Sequence, residues 1–284
     1  MKKVLEHIFF EDAYFFQAFE VKQPSFELNY HFHEAYELTF INKGNGRRVI
    51  GNEVATFSDG DFVLINSTVP HTWISDNQPQ EEWVEAYVIQ IDKKGLKKSF
   101  ETIVHVQQIL QLLEQMPSAI VFHCDNYTNI ASLFKECIVS RGLSQLIRLL
   151  QIFDYLFQIK NKTTIHSVVN FYQLNKVQST TLQNILNHLL KHYKNKISIS
   201  EIANIANLTP TATCRFFKQK TNKTIIQYVN ELRIQFATQQ LIETNQTVSF
   251  IASDAGFESM AFFHKVFKEV TGKTPGEYRK QPLN

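Results

Sequence analysis

Three histidines and a glutamate are the first residues of this 284-residue chain whose types and spacing could do chemistry. His31, His33 and Glu37 have the same parity within a segment rich in aromatic and β-forming residues, so in a strand all three project from one face. His71 comes later, directly after Pro70. Imidazoles and a carboxylate on an inward face need partners, because a buried polar group without a hydrogen bond costs free energy. Two uses are open to such a set. It could line a small-molecule pocket, with Tyr36, Trp73 and Trp83 as aromatic neighbours, or it could hydrogen-bond internally while those aromatics serve as ordinary core.

A second kind of chemistry sits near the end of the chain. Wound as a helix, Ala261 to Val270 places Phe263, Val266, Phe267 and Val270 on one side and Ala261, His264, Lys265 and Lys268 on the other. One side packs and the other is cationic. With a short helix before it and Gly256 at a tight turn, this is the layout of a helix-turn-helix, whose second helix enters the DNA major groove. The same text occurs 50 residues earlier: Phe217, Lys218, Thr221, Lys223, Thr224 and Tyr228 return as Phe267, Lys268, Thr271, Lys273, Thr274 and Tyr278. Ahead of the turn the offset is 49, with Ile202, Ala203 and Ala206 answering Ile251, Ala252 and Ala255. Repetition at a fixed period marks a duplicated supersecondary unit, so two helix-turn-helix motifs are expected, with a one-residue slip inside the turn.

These residues need elements to position them. From Tyr14 to about Ile91 short strand-like runs alternate with turn signals at Lys43-Gly44-Asn45-Gly46, Gly51-Asn52, Ser58-Asp59-Gly60-Asp61 and Ser75-Asp76-Asn77, which implies a sandwich or barrel. Lys97 to Leu113 and Ile130 to Gln158 switch to helical periodicity, with stripes wide enough for an antiparallel helix pair that also pairs between subunits; packing within one chain is the alternative. Asn161 to Thr181 is polar around a β-branched island at Ile165 to Tyr172 and reads as the interdomain boundary. Beyond it, Thr181 to Tyr193 predicts a helix, Ser200 is expected to cap a helix over 201–207, and Thr209 with Pro210 starts the next. On that helix Thr213, Phe216 and Phe217 face inward and Thr211, Cys214, Arg215 and Lys218 face outward, and Asn222 ends it as a residue tolerant of left-handed geometry. Thr224 to Glu243 then predicts one long linking helix with Val229, Leu232, Phe236 and Leu241 along a stripe.

The net charge of +2 conceals a division. Residues 1–175 carry 15 Lys+Arg against 20 Asp+Glu, and residues 176–284 carry 14 against 7, so the second part is basic as a polyanion-binding domain should be. Cys124, Cys137 and Cys214 are odd in number, scattered and without a C-x-x-C, which argues against a disulfide framework and for a reducing compartment. The N-terminus acquires Glu6, Glu11 and Asp12 before any long apolar run, unlike a signal peptide, and the most apolar helix contains Arg148 and Asp154; a cytoplasmic protein without a membrane span is expected.

The spacing H-x-H-x3-E-x6-G at His31, His33, Glu37 and Gly44, followed by Gly60 and Pro70-His71, resembles the two signature motifs of the cupin family. The resemblance implies a small antiparallel β-barrel, and in metal-binding cupins the matching residues His31, His33, Glu37 and His71 are the ligands. Such a set suits a divalent transition metal: Fe, Mn, Ni, Cu or Zn. The P-x-G that precedes the last histidine in cupin enzymes is replaced here by Ser67-Thr68-Val69-Pro70.

From Ile251 to Arg279 the pattern I-A-x3-G-F-x-S-x3-F-x-K-x-F-K-x3-G-x-T-P-x2-Y-R, with its upstream copy and linking helix, resembles the AraC family of transcription regulators over about the last hundred residues. By that resemblance the DNA-facing residues are Thr209, Thr211, Cys214, Arg215 and Lys218 in the first copy and Ser259, Met260, Ala261, His264, Lys265 and Lys268 in the second. Arg215 can clamp a guanine edge, whereas Met260, Ala261 and Cys214 offer apolar or weakly polar contacts. The expected whole is an α+β protein: a cupin-like effector-binding barrel (1–95), a helical dimerisation segment (96–160), a linker (161–175) and a double helix-turn-helix domain (176–284). The implied function is transcription regulation of promoter DNA by a homodimer responsive to a small molecule such as a sugar. A metal-dependent cupin enzyme with an appended DNA-binding domain is the rival.

Overall fold

The computed structural model describes residues 8, 10, 14–27, 30–75, 83–124, 127–167 and 176–280. The chain divides into two compact units, one drawn from Met1–Glu27, His31–Glu53 and Phe57–Gln173, the other chiefly from Leu174–Asn284. The strands are β1 (Phe16–Gln23), β2 (Tyr36–Lys43), β3 (Gly46–Ile50), β4 (Glu53–Phe57), β5 (Phe62–Ile65), β6 (His71–Ile74), β7 (Val84–Ile91), β8 (Ala119–Phe122) and β9 (Lys162–Ile165), all in the first unit except the middle of β4, Val54–Thr56, which groups with the second. They form two sheets, ordered β1-β7-β2-β5-β8-β9 and β4-β3-β6. The larger is antiparallel throughout. No ladder among the described residues joins the two sheets, and an isolated bridge pairs His31 with His71 at the edge of the smaller one.

The pleat sorts the side chains of the large sheet onto two faces. Tyr36, Leu38 and Phe40 of β2, Phe62 and Leu64 of β5, and Tyr87, Ile89 and Ile91 of β7 pack beneath helices α1 (Lys93–Phe100), α2 (Gln107–Gln115), α3 (Thr128–Val139) and α4 (Gly142–Gln158). On the other face, Val63 and Ile65 meet Ile50 of the small sheet, while Ile41, Val84 and Ala86 meet Phe57. Both faces are covered, so β5 is apolar throughout and β2 is buried from Tyr36 to Ile41 even where its side chains are polar. From α4, Leu149, Ile152, Phe153 and Leu156 enter this core, each stabilising by about 1.5–3 kcal/mol through burial. Leu143, Ile147 and Phe157 remain exposed on the same helix.

Two strands lie where helix and linker are expected. β8 interrupts the 96–160 segment, because its run of Ala-Ile-Val-Phe is too short for periodicity to tell a strand from a helix. β9 occupies 162–165 of the 161–175 linker as an edge strand, with Ile165 buried and three exposed residues before it. The rest of that linker, 168–175, and the turn at Asp76-Asn77 lie outside the described residues.

The second unit contains α5 (Lys176–His192), α6 (Ile199–Ala206), α7 (Pro210–Thr221), α8 (Ile225–Glu243), α9 (Val248–Asp254), α10 (Met260–Thr271) and α11 (Pro275–Arg279). The repeat extends to individual atoms. Thr209 and Ser259 cap α7 and α10, and Asn222 and Gly272 end them in left-handed geometry. Thr221 and Thr271 donate to the carbonyls of Phe217 and Phe267 at 2.8 and 2.7 Å. Thr224 and Thr274 each form a capping box. Asn207 (φ 53°) and Gly256 (φ 91°) take the equivalent turn position, so the additional residue of the second copy falls between Gly256 and Ser259.

Three local expectations change. Ser198, rather than Ser200, caps α6 by accepting from the Glu201 amide. Val270 is 39% exposed because it lies in the last turn of α10, past the end of the packed stripe. Phe216 is half-buried, and α8 is buried on several sides rather than along one stripe, with Ile225, Tyr228, Ile234 and Ala237 joining the four predicted residues.

α8 holds the two copies together. Its Arg233 donates to Tyr193 O at 2.7 Å and Asn195 O at 2.9 Å in the loop between α5 and α6. Lys194 in that loop pairs with Asp254 at 3.2 Å. A Cβ on Gly256 would stand 2.2 Å from Lys194 O, whereas one on Gly272 would meet nothing within 4 Å. Gly256→Ala should therefore cost about 2–4 kcal/mol, combining left-handed strain with a backbone clash, and Gly272→Ala only about 1 kcal/mol. Urea unfolding of the two variants checks this ordering.

Candidate functional site

Glu37 is the centre of the inward polar set. It lies on β2 between Tyr36 and Leu38, and the pleat turns it away from the helices and toward the second sheet. It is 4% exposed, and His33 and His71 are 2% and 1% exposed. His33 Nε2 stands 2.9 Å from Glu37 Oε2, and His71 Nε2 stands 3.4 Å from Oε1, within ion-pair reach but without hydrogen-bond geometry. Thr39 donates to Oε1 at 2.7 Å and Gln90 to Oε2 at 3.1 Å. Gln17 in turn donates to Gln90 at 2.7 Å.

Burial alone would raise the Glu37 pKa, but the neighbouring imidazoles of His71 and His33 and the contact to His33 at 2.9 Å hold it well below the usual carboxylate range. Burial also lowers the His71 pKa and outweighs the pull of Glu37, which favours a neutral ring. Nδ1 of His71 faces Val69 O at 2.9 Å, where a protonated Nδ1 donates. Nδ1 of His33 likewise faces Ala35 O at 3.1 Å, and its Nε2 faces Glu37 Oε2 at 2.9 Å.

His31 completes the set. Its ring centroid is 4.5 Å from that of His71 and 5.8 Å from that of His33. One nitrogen from each of the three histidines falls within 4.8 Å of the others. Bonds of about 2.1 Å keep two ligands of one ion within about 4.2 Å of each other, so small side-chain rotations would close the site. The backbone carbonyls behind His33 and His71 are the outer partners that orient imidazole ligands. The residues present therefore fit a divalent transition metal held by His31, His33 and His71, with Glu37 beside them.

The structure thus gathers four of the six predicted pocket residues. Trp73 is adjacent, its ring 6.0 Å from His71 and its Nε1 donating to Asp61 at 3.3 Å. Tyr36 is not part of the set: β-strand alternation buries it in the helix-side core, on the face opposite Glu37. Trp83 is 51% exposed, as expected of a surface residue. Thr39, Gln90 and Gln17 were not predicted. Thr39 shares the parity of Glu37 and was legible on that ground, whereas Gln90 and Gln17 face it through the registers of β7 on β2 and β1 on β7.

In the second unit, Thr209, Thr211, Cys214, Arg215 and Lys218 of the first copy are exposed, as are Ser259, Met260, Ala261, His264, Lys265 and Lys268 of the second. Thr213, Phe217, Phe263, Val266 and Phe267 on the same helices are buried. Arg215 and Lys218 form no ion pair among the described residues, and Lys265 has only an exposed 3.9 Å contact with Glu269. The Thr209 and Ser259 hydroxyls accept from the Ala212 and Phe262 amides, so each is fixed at a helix N-terminus, where amides and dipole favour anions.

Comparison with known proteins gives the class. The helix-turn-helix domain family matches residues 202–281 and the cupin domain family matches residues 15–87. The chain carries an AraC-type helix-turn-helix domain behind a cupin domain, and its relatives are transcription regulators. It is 26% identical over 275 residues to the uncharacterised HTH-type transcriptional regulator YdeC of Bacillus subtilis (strain 168), covering 88% of this chain and 85% of YdeC. It is 26% identical over 276 residues to the HTH-type transcriptional activator RhaR of Mannheimia succiniciproducens, covering 91% and 89%. The crystal structure of unsaturated fatty acid bound ToxT from Vibrio cholerae superposes at TM-score 0.37 with 16% identity, covering 93% of this chain and 94% of ToxT.

No helix among the described residues of this regulator is long and apolar enough to cross a membrane. None of the three cysteines is in a disulfide. Its histidine cluster supplies a prediction about metal. A divalent transition metal at a hundredfold excess over its dissociation constant should stabilise the wild-type protein by about 2.7 kcal/mol by mass action, and His33→Ala should abolish the effect. Thermal unfolding with and without chelator measures it.

Proposed function

We propose that this AraC-family regulator reads promoter DNA through two helix-turn-helix motifs, α6–α7 and α9–α10, which place α7 and α10 in successive major grooves. The observation that carries the reading is the duplication itself. Two helices with matching caps, matching left-handed ends and matching buried faces present matching exposed cationic faces. Between them runs α8, whose 19 residues at about 1.5 Å each span roughly 28 Å, comparable with one turn of duplex. In this reading Arg215 clamps a guanine edge and Lys265 reaches the corresponding edge less rigidly. Thr211, Cys214, Met260, Ala261 and His264 meet bases by shape and apolar contact, and Thr209, Lys218, Ser259 and Lys268 hold phosphates.

The first unit is then the sensor. A cupin-like barrel over 1–95 takes a small-molecule effector beside His31, His33, Glu37, His71 and Trp73, and 161–175 links sensor to reader. Effector control requires that the ligand favour one of two conformations of the protein. The three histidine nitrogens gathered within 4.8 Å of one another favour a second element in this reading, a resident divalent metal that orders the sensor. Because the relatives are regulators, the metal is assigned to sensing rather than turnover. The regulator acts in the cytoplasm as a homodimer.

Dimerisation is assigned to the helical segment 96–160. Leu143 and Ile147 on α4 are 73% and 44% exposed, and Val139 at the end of α3 is 77% exposed, an apolar strip on the side of these helices turned away from their own core. Leu143→Glu with Ile147→Glu should convert the dimer to a monomer in sedimentation velocity. A wild type that sediments as a monomer refutes the assignment.

For DNA, selection of duplexes from a random pool followed by titration tests the readers. Arg215→Ala and Lys265→Ala should each weaken binding to the selected site by about 1–3 kcal/mol and relax preference at one base position. Unchanged affinity in both would remove the recognition helices from the interface.

A further inference from the structure

A cleft of about 550 Å³ opens within the second unit, between the loop joining α5 to α6, the first turns of α8, and the turn that leads into α10. Ser259, the N-cap of α10, stands on its rim, and Ile226 and Asn230 at the start of α8 form its wall just beyond the end of α7. The cleft therefore separates the two proposed readers.

Its charge is positive. Lys194, Lys196 and Arg233 line it against one acid, Glu258. Two of these cations are already engaged: Lys194 pairs with Asp254 and lies 3.5 Å from the centre of the Phe236 ring, and Arg233 donates to two loop carbonyls. Lys196 is exposed and forms no ion pair among the described residues, and the half-buried carboxamide of Asn230 hydrogen-bonds to none of them. Ile226 and Phe262, 48% and 45% exposed, supply apolar surface between these polar groups. The cleft is broad and open to solvent rather than enclosed. An ammonium and an amide beside apolar carbon, along an open trough, suit a sugar–phosphate chain: phosphodiester oxygens for the polar groups and deoxyribose for the apolar ones.

The geometry points to this cleft as a DNA-backbone track, in which Lys196 and Asn230 hold the phosphates of the stretch between the two major-groove sites. The inference rests on the two-reader arrangement proposed above. It assigns the cleft no role in reading bases: its contacts set register and add affinity equally to every sequence.

The test uses the full-length protein, a duplex selected by the wild type from a random pool, and a random-sequence duplex of the same length. Lys196→Ala should weaken both complexes about fivefold near 0.15 M salt and flatten the log–log salt dependence by about one, with the selected base preferences unchanged. Lys196→Arg should restore binding. Neutral methylphosphonate linkages placed between the two recognised segments should weaken the wild type by a similar factor and leave Lys196→Ala unaffected. Additive losses from the variant and the neutral linkages would overturn the assignment, as would an unchanged salt slope or an altered base preference in Lys196→Ala. A wild type that selects no sequence at all is a separate outcome: it sinks the two-reader arrangement, and the cleft assignment with it. Lys196 is exposed, and matching thermal unfolding of variant and wild type excludes misfolding as the cause of any loss.

Discussion

The chemistry of the first unit depends on the pleat of one strand. β2 lies between β7 and β5 in a sheet covered on both faces, and successive side chains along it enter different environments. Tyr36, Leu38 and Phe40 enter a dry aromatic core with Phe62, Tyr87 and Phe134. Glu37 and Thr39 enter the other side, where a buried carboxylate is tolerable only because Thr39, Gln90 and His33 bond to it. A slip of one residue in register would drive Glu37 beneath the helices and Tyr36 among the histidines. The apolar face thus secures the position of the polar one.

A related constraint, at helical rather than strand period, governs the second unit. In each copy a threonine closes the last turn of the exposed helix by bonding back to a phenylalanine carbonyl, and the ring of that phenylalanine packs edge-on against a tyrosine of the following helix. Those contacts fix the rotation of α7 and α10 about their axes, and rotation decides which side chains face outward. Arg215 and Lys265 are presented because Phe217 and Phe267 are held. Arg233 and the approach of Gly256 to the Lys194 carbonyl then tie the second copy to the loop beneath the first, giving a pair of cationic faces a definite spacing.

The two units divide the electrostatic work. An acidic first unit confines its functional polar groups to a desolvated interior, where few donors and acceptors define a ligand or a metal. A basic second unit leaves its cations at the surface, where they act on a polyanion through long-range attraction and counterion release. In the reading proposed above, recognition of a small molecule is kept apart from recognition of DNA, because the two require opposite solvation.

Much of this was legible in the residues themselves. Local rules act over a few residues: residue type and spacing singled out His31, His33 and Glu37, although a bend at Glu34-Ala35 ahead of β2, rather than the parity of one strand, brings them together; cap chemistry at Thr209-Pro210 and the 50-residue echo placed the cationic helices, and the charge division located the polyanion-binding part. Pairing between distant segments was not legible. Gln90 and Gln17 reach Glu37 only through registers spanning more than fifty residues of chain, β8 is a strand because β5 offers an edge to join and β9 because β8 then offers another, and Tyr36 leaves the predicted pocket because the core lies on its side of the strand. The sequence by itself determined which side chains could do chemistry and which local element would carry each one. Tertiary structure alone decided which of them meet, because hydrogen-bond register and the covering of a sheet face are properties of segments that come together only when the chain folds.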